Sequence, residues 1–137
     1  MRDCVFCKII AGQLSSTKVL EDELTLAFMD IGEVNPGHVL VTVKPHVENS
    51  YGMNDSLAAA VLRTAASVAR AVQEAYMPEG LTLYQANGFA AGQTVFHFHL
   101  HLVPRYAQDE MRLTWPAKNP SRAQLEANAE AAMAAAV

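Results

Sequence analysis

The stretch Val95 to Val103 alternates histidine with large apolar residues, and this alternation constrains the chain more than any other feature of it. Successive side chains of a strand point to opposite faces, so His97, His99 and His101 are predicted on one side and Phe96, Phe98, Leu100 and Leu102 on the other. The apolar side needs a covering layer. The imidazoles are left in a row on the opposite face, at a spacing of ~7 Å per two residues. Three of the five histidines fall within these five positions, which suits either chemistry or metal binding. A single strand does not bring its ligands together around a tetrahedral ion as readily as separate elements do.

The covering layer is supplied by Asp55 to Tyr76, which reads as one helix, capped by Asn54 or Asp55 and stopped by Pro78 and Gly80. Its polar residues Arg63, Ser67, Arg70 and Glu74 form one narrow stripe, and most of the remaining circumference is Leu, Val or Ala. So little polar surface suggests a second covered face, such as a subunit interface. Val5 to Ala11 carries Phe6, Ile9 and Ile10 at helical spacing and stops at Gly12, giving a short first helix. Strands are predicted at 18–21, 25–30 and 38–44, the last two joined through the turn residues Asn35-Pro36-Gly37. A further strand, 81–86, leads through the loop 87–92 into the histidine strand. Beyond Pro104 the chain is expected to be irregular until a last helix begins at Ser121, where Gln124 is placed for a capping box. The order of elements predicts an antiparallel α+β fold with its helices on one face of the sheet.

No linker or internal repeat divides the 137 residues, so one domain over 1–137 is expected, with a core at about 3–115 and a tail at 116–137. The net charge of −4 argues against a nucleic-acid surface. A small phosphorylated ligand remains compatible with it, because one phosphate can be held by amides and imidazoles. No apolar run reaches the roughly 20 residues of a membrane span, and the start of the chain lacks the marks of a signal peptide. A cytoplasmic protein that does not act at membranes is expected.

The run Gly92-Gln93-Thr94-Val95-Phe96-His97-Phe98-His99-Leu100-His101-Leu102-Val103 resembles the signature of the histidine triad (HIT) nucleotide-binding proteins. The likeness extends to Cys4-Val5-Phe6-Cys7-Lys8-Ile9-Ile10, to Ala27-Phe28-Met29-Asp30-Ile31, to Gly37-His38-Val39-Leu40-Val41 with Lys44-Pro45-His46, and to Asn87-Gly88 with Ala91-Gly92-Gln93. It covers roughly residues 3 to 115. The resemblance implies a five-stranded antiparallel sheet with one long and one C-terminal helix, two protomers joining their sheets into ten strands. It implies hydrolysis at the α-phosphorus of a purine nucleotide through a covalent intermediate on His99. His101 would contact the α-phosphate; Thr94, Gln93 and backbone amides at Gly92 and Val95 would stabilise developing charge. Thr94 stands where the family often has serine, and the hydroxyl is kept. Asp30 matches the acid that holds the ribose hydroxyls, Phe28 and Ile31 the base pocket, and His38 and Asn87 the positions that orient the nucleophile's strand and line the phosphate pocket.

Cys4-x-x-Cys7 has the spacing of half a zinc site, and His46 with His97 would complete a Cys₂His₂ set, as in bacterial members that this chain resembles. The other reading is a pair of free thiols packed in the N-terminal segment. Structural zinc and no organic cofactor are expected. The first-choice substrate is an adenosine phosphoramidate or a similar aminoacyl adenylate. The alternatives are a dinucleoside polyphosphate hydrolase and a nucleotide-binding scaffold with incidental turnover. Nucleotide transfer to a sugar phosphate is disfavoured, because the related transferases have glutamine where this chain has His101.

Overall fold

The structure, a computed structural model, describes residues 3–136. Five strands form one antiparallel sheet in the order β1-β2-β3-β5-β4, with β1 at Lys18–Glu21, β2 at Thr25–Met29, β3 at Val39–Val43, β4 at Gly80–Tyr84 and β5 at His99–Arg105. Helices α1 (Val5–Ile10), α2 (Asp55–Tyr76) and α3 (Arg122–Ala135) complete the fold, as expected from the order of elements. Among the described residues no helix is long and apolar enough to cross a membrane.

The register explains how the sheet divides its side chains. Ala27, Val41 and Leu100 stand opposite one another across β2, β3 and β5, as do Met29, Val39 and Leu102. These rows pack with Leu57, Val61, Ala65, Val68 and Val72 of α2 to make the main core. Burial of that stripe, together with the Asn54 side chain accepting the Leu57 N–H, gives the 22-residue helix its place. The helix ends at Tyr76, where Met77 turns left-handed ahead of Pro78. Thr64 on the same stripe is buried and bonds Thr25 Oγ1 at 2.7 Å, so one polar contact pins α2 to β2. Leu62, on the other side of the helix, stays 59% exposed, so the second apolar face is uncovered within the chain.

The helices do not share one face of the sheet. Phe6 of α1 is buried in a second cluster with Leu26, Phe28 and Leu40, on the side away from α2. Six residues are too few for a helix to persist alone, so α1 exists by virtue of this packing, of its Cys4 cap and of the contacts of Cys4 and Cys7 with His97 and His46. Helix α3 has no buried residue. The capping box at its start is half formed: Ser121 Oγ accepts the Gln124 N–H, but the Gln124 amide goes forward to Asn128.

The histidine strand also differs from its expected extent. It starts at His99, not Val95, and continues through Pro104 to Arg105. Proline fits because the Arg105 carbonyl accepts from Glu79 toward the β4 side, which turns Pro104 the other way, past the end of β3 at Val39. No ladder donor is lost there, and the Pro104 carbonyl accepts from Asn35 Nδ2 at 2.8 Å. Ahead of β5 the chain is irregular, and Phe96 is 40% exposed instead of joining Phe98, Leu100 and Leu102 against α2.

The turn into β3 depends on Gly37. Its φ is +91°, and a Cβ there would lie 3.0 Å from both Pro104 Cγ and the Tyr76 ring. Gly37→Ala should therefore lower stability by about 2–3 kcal/mol, from backbone strain and a close contact together. Urea unfolding followed by far-UV circular dichroism checks this, with a lower midpoint at unchanged slope as the expected result.

Candidate active site and metal centre

On the face opposite α2, one cross-strand row runs Phe28, Leu40, His101, Tyr84 over β2, β3, β5 and β4. A parallel row runs Leu26, Thr42, His99. Helix α1 covers only part of this face, and the remainder is the floor of a cavity of about 520 Å³. Phe6 and Ile9 of α1, Phe28, Asp30, and the Gly92 to Val95 loop all contribute to its wall, together with His99 and His101.

Backbone groups set the tautomers of His97, His99 and His38, and His38 sets that of His101. His97 Nε2–H donates to the Val43 carbonyl at 2.7 Å, which leaves the Nδ1 lone pair free. His99 Nδ1–H donates to the His97 carbonyl at 2.7 Å, and that leaves the Nε2 lone pair free. At His38 the arrangement is inverted, because the Val34 N–H donates to Nδ1 at 3.1 Å and the proton must therefore sit on Nε2. His38 Nε2–H then donates to His101 Nδ1 at 3.0 Å, with Asp30 Oδ2 3.2 Å away as a second acceptor. His101 keeps its own proton on Nε2. The His99 and His101 ring centroids are 5.0 Å apart with the planes tilted at 59°, closer than the ~7 Å of an ideal two-residue strand spacing.

Burial holds these imidazoles neutral at pH 7. It pushes His101 down to about 4, with His99 and His38 acting in the same direction against the opposing pull of Asp30. His99 is lowered chiefly by burial, in spite of its bond to the His97 carbonyl and the charge of Asp30. His38 is lowered by burial too, against Asp30 and Glu33. The cavity thus presents an unprotonated nitrogen at His99 and an N–H donor at His101, which is a nucleophile and an electrophilic partner side by side.

Among the described residues two clusters have donor atoms close enough to hold a metal: Cys4, Cys7, His46 and His97, and Asp30, His38 and His101. In the first, Cys4 Sγ and Cys7 Sγ lie 3.3 and 3.5 Å from His97 Nδ1, Cys7 Sγ lies 3.3 Å from His46 Nδ1, and the two Nδ1 atoms are 3.2 Å apart. A tetrahedral zinc with bonds of about 2.3 Å to sulfur and 2.05 Å to nitrogen has edges of ~3.6 and ~3.4 Å. The four residues therefore fit, and the His97 Nε2–H bond to Val43 gives that ligand its outer support. The second cluster does not fit. His38 Nε2 carries the proton that the Val34 amide forces onto it, so it could bind a metal only as an imidazolate. That group is a hydrogen-bond relay.

The predicted residues distribute as follows. His99, His101, Asp30, Phe28, Gly92, Gln93, Thr94 and Val95 all line the cavity. Gln93 is buried in its loop, donating to the Glu48 and Val95 carbonyls and accepting the Gly88 N–H. Asp30 uses Oδ1 for the Gly32 N–H and Oδ2 for His38, so it orders the relay as well as facing the cavity. His38, at 1% exposure, stands behind His101 and does not line the pocket. Asn87 is not on the wall either; its Oδ1 accepts from the Ser50 N–H and Gln85 Nε2, which ties down the loop after β4. Ile31 reaches the cavity rim but is fully exposed there. Tyr84 was not anticipated. Its position opposite His101 becomes visible only once the β4–β5 register is known.

The chain that carries this site is similar to known proteins over most of its length. A family model described as HIT domain matches residues 11–108, more than half of the chain. The chain belongs to the HIT domain family. A HIT family protein from Bacillus anthracis, solved at 2.01 Å, superposes with a TM-score of 0.95 at 38% identity, covering 98% of each chain. Adenosine 5'-monophosphoramidase hnt1 of Schizosaccharomyces pombe is 33% identical over 128 residues, 93% of either chain. A Zn-bound histidine triad family protein from Mycobacterium smegmatis has a TM-score of 0.76 at 33% identity, covering 97% of this chain and 94% of that one.

Proposed function

We propose that the protein hydrolyses nucleoside 5′-phosphates bearing a leaving group on the α-phosphorus, with adenosine phosphoramidates as the preferred class. The observation that carries this reading is the 2.7 Å bond from His99 Nδ1–H to the His97 carbonyl, which fixes a free Nε2 lone pair at a nucleotide-sized cavity. His99 Nε2 attacks phosphorus, the N–P bond forms and the bond to the leaving group breaks. The His101 Nε2–H and the Thr94 hydroxyl donate to the phosphoryl oxygens and the departing group. Water then cleaves the N–P bond, releasing the nucleoside monophosphate and restoring the imidazole. The similarity to a named adenosine 5'-monophosphoramidase supports the substrate class.

Phe28, edge-on to Phe6 at 5.4 Å, is assigned with Ile31 to the base, where apolar walls give loose base selectivity. Zinc is the metal assigned to Cys4, Cys7, His46 and His97, in a structural role; the Zn-bound relative supports this. The reduced cysteines fit a cytoplasmic protein. A homodimer would use the free edge of β4 and the exposed apolar side of α2.

The substrate class is tested by turnover of adenosine 5′-phosphoramidate against a diadenosine polyphosphate. The expected result is faster hydrolysis of the phosphoramidate by at least an order of magnitude. Faster cleavage of the dinucleotide would assign the other hydrolase class, and no turnover of either would leave a binding protein.

Asp30 is assigned the ribose hydroxyls, since each carboxylate oxygen retains a second lone pair beyond its present bond. Asp30→Asn should raise KM for ribonucleotides several-fold and shrink the preference over 2′,3′-dideoxy analogues, measured by steady-state kinetics. A smaller fall in kcat is expected through the weakened relay to His38. Undiminished discrimination against the dideoxy analogue would assign the sugar to another residue.

A further inference from the structure

The relay from Val34 through His38 fixes the tautomer of His101, but a hydrogen bond at one nitrogen leaves the ring free to rock about its Cβ–Cγ bond. The neighbouring imidazoles do little to prevent this, since His38 is tilted at 45° and His99 at 59° to the His101 plane, with centroids 5.2 and 5.0 Å away. Tyr84 stands differently. Its ring lies parallel to His101 within 7°, with centroids 4.0 Å apart, close to the contact distance of two flat rings. This contact follows from the ladder, because Tyr84 and His101 are directly paired residues of β4 and β5, whose side chains share a face. Leu40 occupies the corresponding place on β3, so the imidazole is held between one aliphatic and one aromatic cross-strand neighbour. Tyr84 also lines the cavity, and although it is exposed at the sheet edge its stacked ring covers the face of His101 that β4 presents there.

We infer that Tyr84 is a positioning residue for His101, its ring face holding the imidazole so that Nδ1 stays on His38 and the Nε2–H stays aimed at the phosphoryl group. The inference rests on the proposed role of His101 as a phosphate donor, but its structural half can be read without substrate. A rocking ring would lose the His38 bond part of the time and would then exchange its proton between the two nitrogens. The face of the ring does this work, not the hydroxyl, so phenylalanine should replace tyrosine without loss.

The test pairs Tyr84→Phe with Tyr84→Leu, which keeps apolar bulk in the strand, and applies two measurements to each. Long-range ¹H–¹⁵N spectra of the ring nitrogens, recorded at pH 7 without substrate, report the His101 tautomer. Wild type and Tyr84→Phe should show a single Nε2–H form, and Tyr84→Leu a mixture. Steady-state kinetics with adenosine 5′-phosphoramidate should show kcat reduced about tenfold in Tyr84→Leu, KM within about twofold, and Tyr84→Phe within about twofold of wild type in both. A Tyr84→Leu variant with an unchanged tautomer and unchanged kcat would overturn the inference. So would a Tyr84→Phe variant as slow as Tyr84→Leu, because the hydroxyl would then be the active part. If wild type turns over neither substrate class but the tautomer of His101 still responds to Tyr84→Leu and not to Tyr84→Phe, the positioning stands and the functional reading fails.

Discussion

His99→Ala should abolish turnover, with a fall in kcat of about four orders of magnitude or more, while nucleotide monophosphate binding changes little. The size follows from losing the covalent route outright: without Nε2 the leaving group must be displaced by water in one step, and no other unprotonated imidazole nitrogen is placed to substitute. His101 cannot take over, because its Nδ1 lone pair is engaged by the His38 Nε2–H and its Nε2 carries the proton. His97 cannot take over either, because its Nδ1 faces Cys4, Cys7 and His46 while its Nε2–H is bound to the Val43 carbonyl. The His97→Ala variant should instead lose metal content and stability first. Binding is expected to persist in His99→Ala because most of the cavity wall comes from α1, β2 and the Gly92 to Val95 loop, and of these the substitution removes only the edge-on contact of His99 with Phe6. Stopped-flow or discontinuous product assays on both variants, set beside calorimetric binding of adenosine monophosphate, check this.

Loss of the metal should have the largest effect on stability. The four proposed ligands come from the cap and first turn of α1, from the segment after β3 and from the approach to β5, so an ion held there would close three separated pieces of chain around one point. Cys7→Ser should release the metal and lower the melting temperature by roughly 10 °C, taking about 3 kcal/mol for the lost site in a domain of this size. The value is well below that of a peptide that folds only with metal, because the core between α2 and the sheet does not depend on the ion. Turnover at saturating substrate should fall much less than stability. KM should rise, since Phe6 and Ile9 of the loosened α1 form part of the cavity wall. Elemental analysis of protein never exposed to chelator should find about one zinc per wild-type chain and none in Cys7→Ser, and a wild-type protein free of zinc would remove this reading.

The fold was legible wherever a local signal and a packing requirement coincided. Helix α2 has the bounds its caps and apolar stripe predict, and Asn35-Pro36-Gly37 does join β2 to β3. Errors arose where the deciding neighbour was remote in sequence. The alternation from Val95 to Val103 promised a strand over its whole length, yet Phe96 and His97 precede it, and the His97 side chain turns instead to Cys4, Cys7 and His46. Pro104 looked like an end because a proline removes a ladder donor, and only the early end of β3 makes that harmless. The split of α1 and α2 over two faces of the sheet could not be seen from element order alone. In the site, alternation and spacing pointed to the histidine row and to the Cys4-x-x-Cys7 pair, and the family resemblance pointed to the roles of His99, His101, Asp30, His46 and His97, but the tautomers depend on the amide of Val34 and the carbonyls of Val43 and His97, which no side-chain pattern reveals. Tyr84 escaped for a related reason, since its partner is fixed by register and lies 17 positions along the chain.

The most direct test of the account is to trap the intermediate. Wild-type protein mixed with a nucleotide substrate labelled at the α-phosphorus, denatured within milliseconds without acid, should carry the label covalently. The bond should survive alkali and be lost in acid, as a phosphorus–nitrogen bond to imidazole requires, and peptide mapping should place the label on His99 alone. Label mapped to His101 would contradict the account. So would turnover with no labelled protein at any time point, because water would then be attacking phosphorus directly.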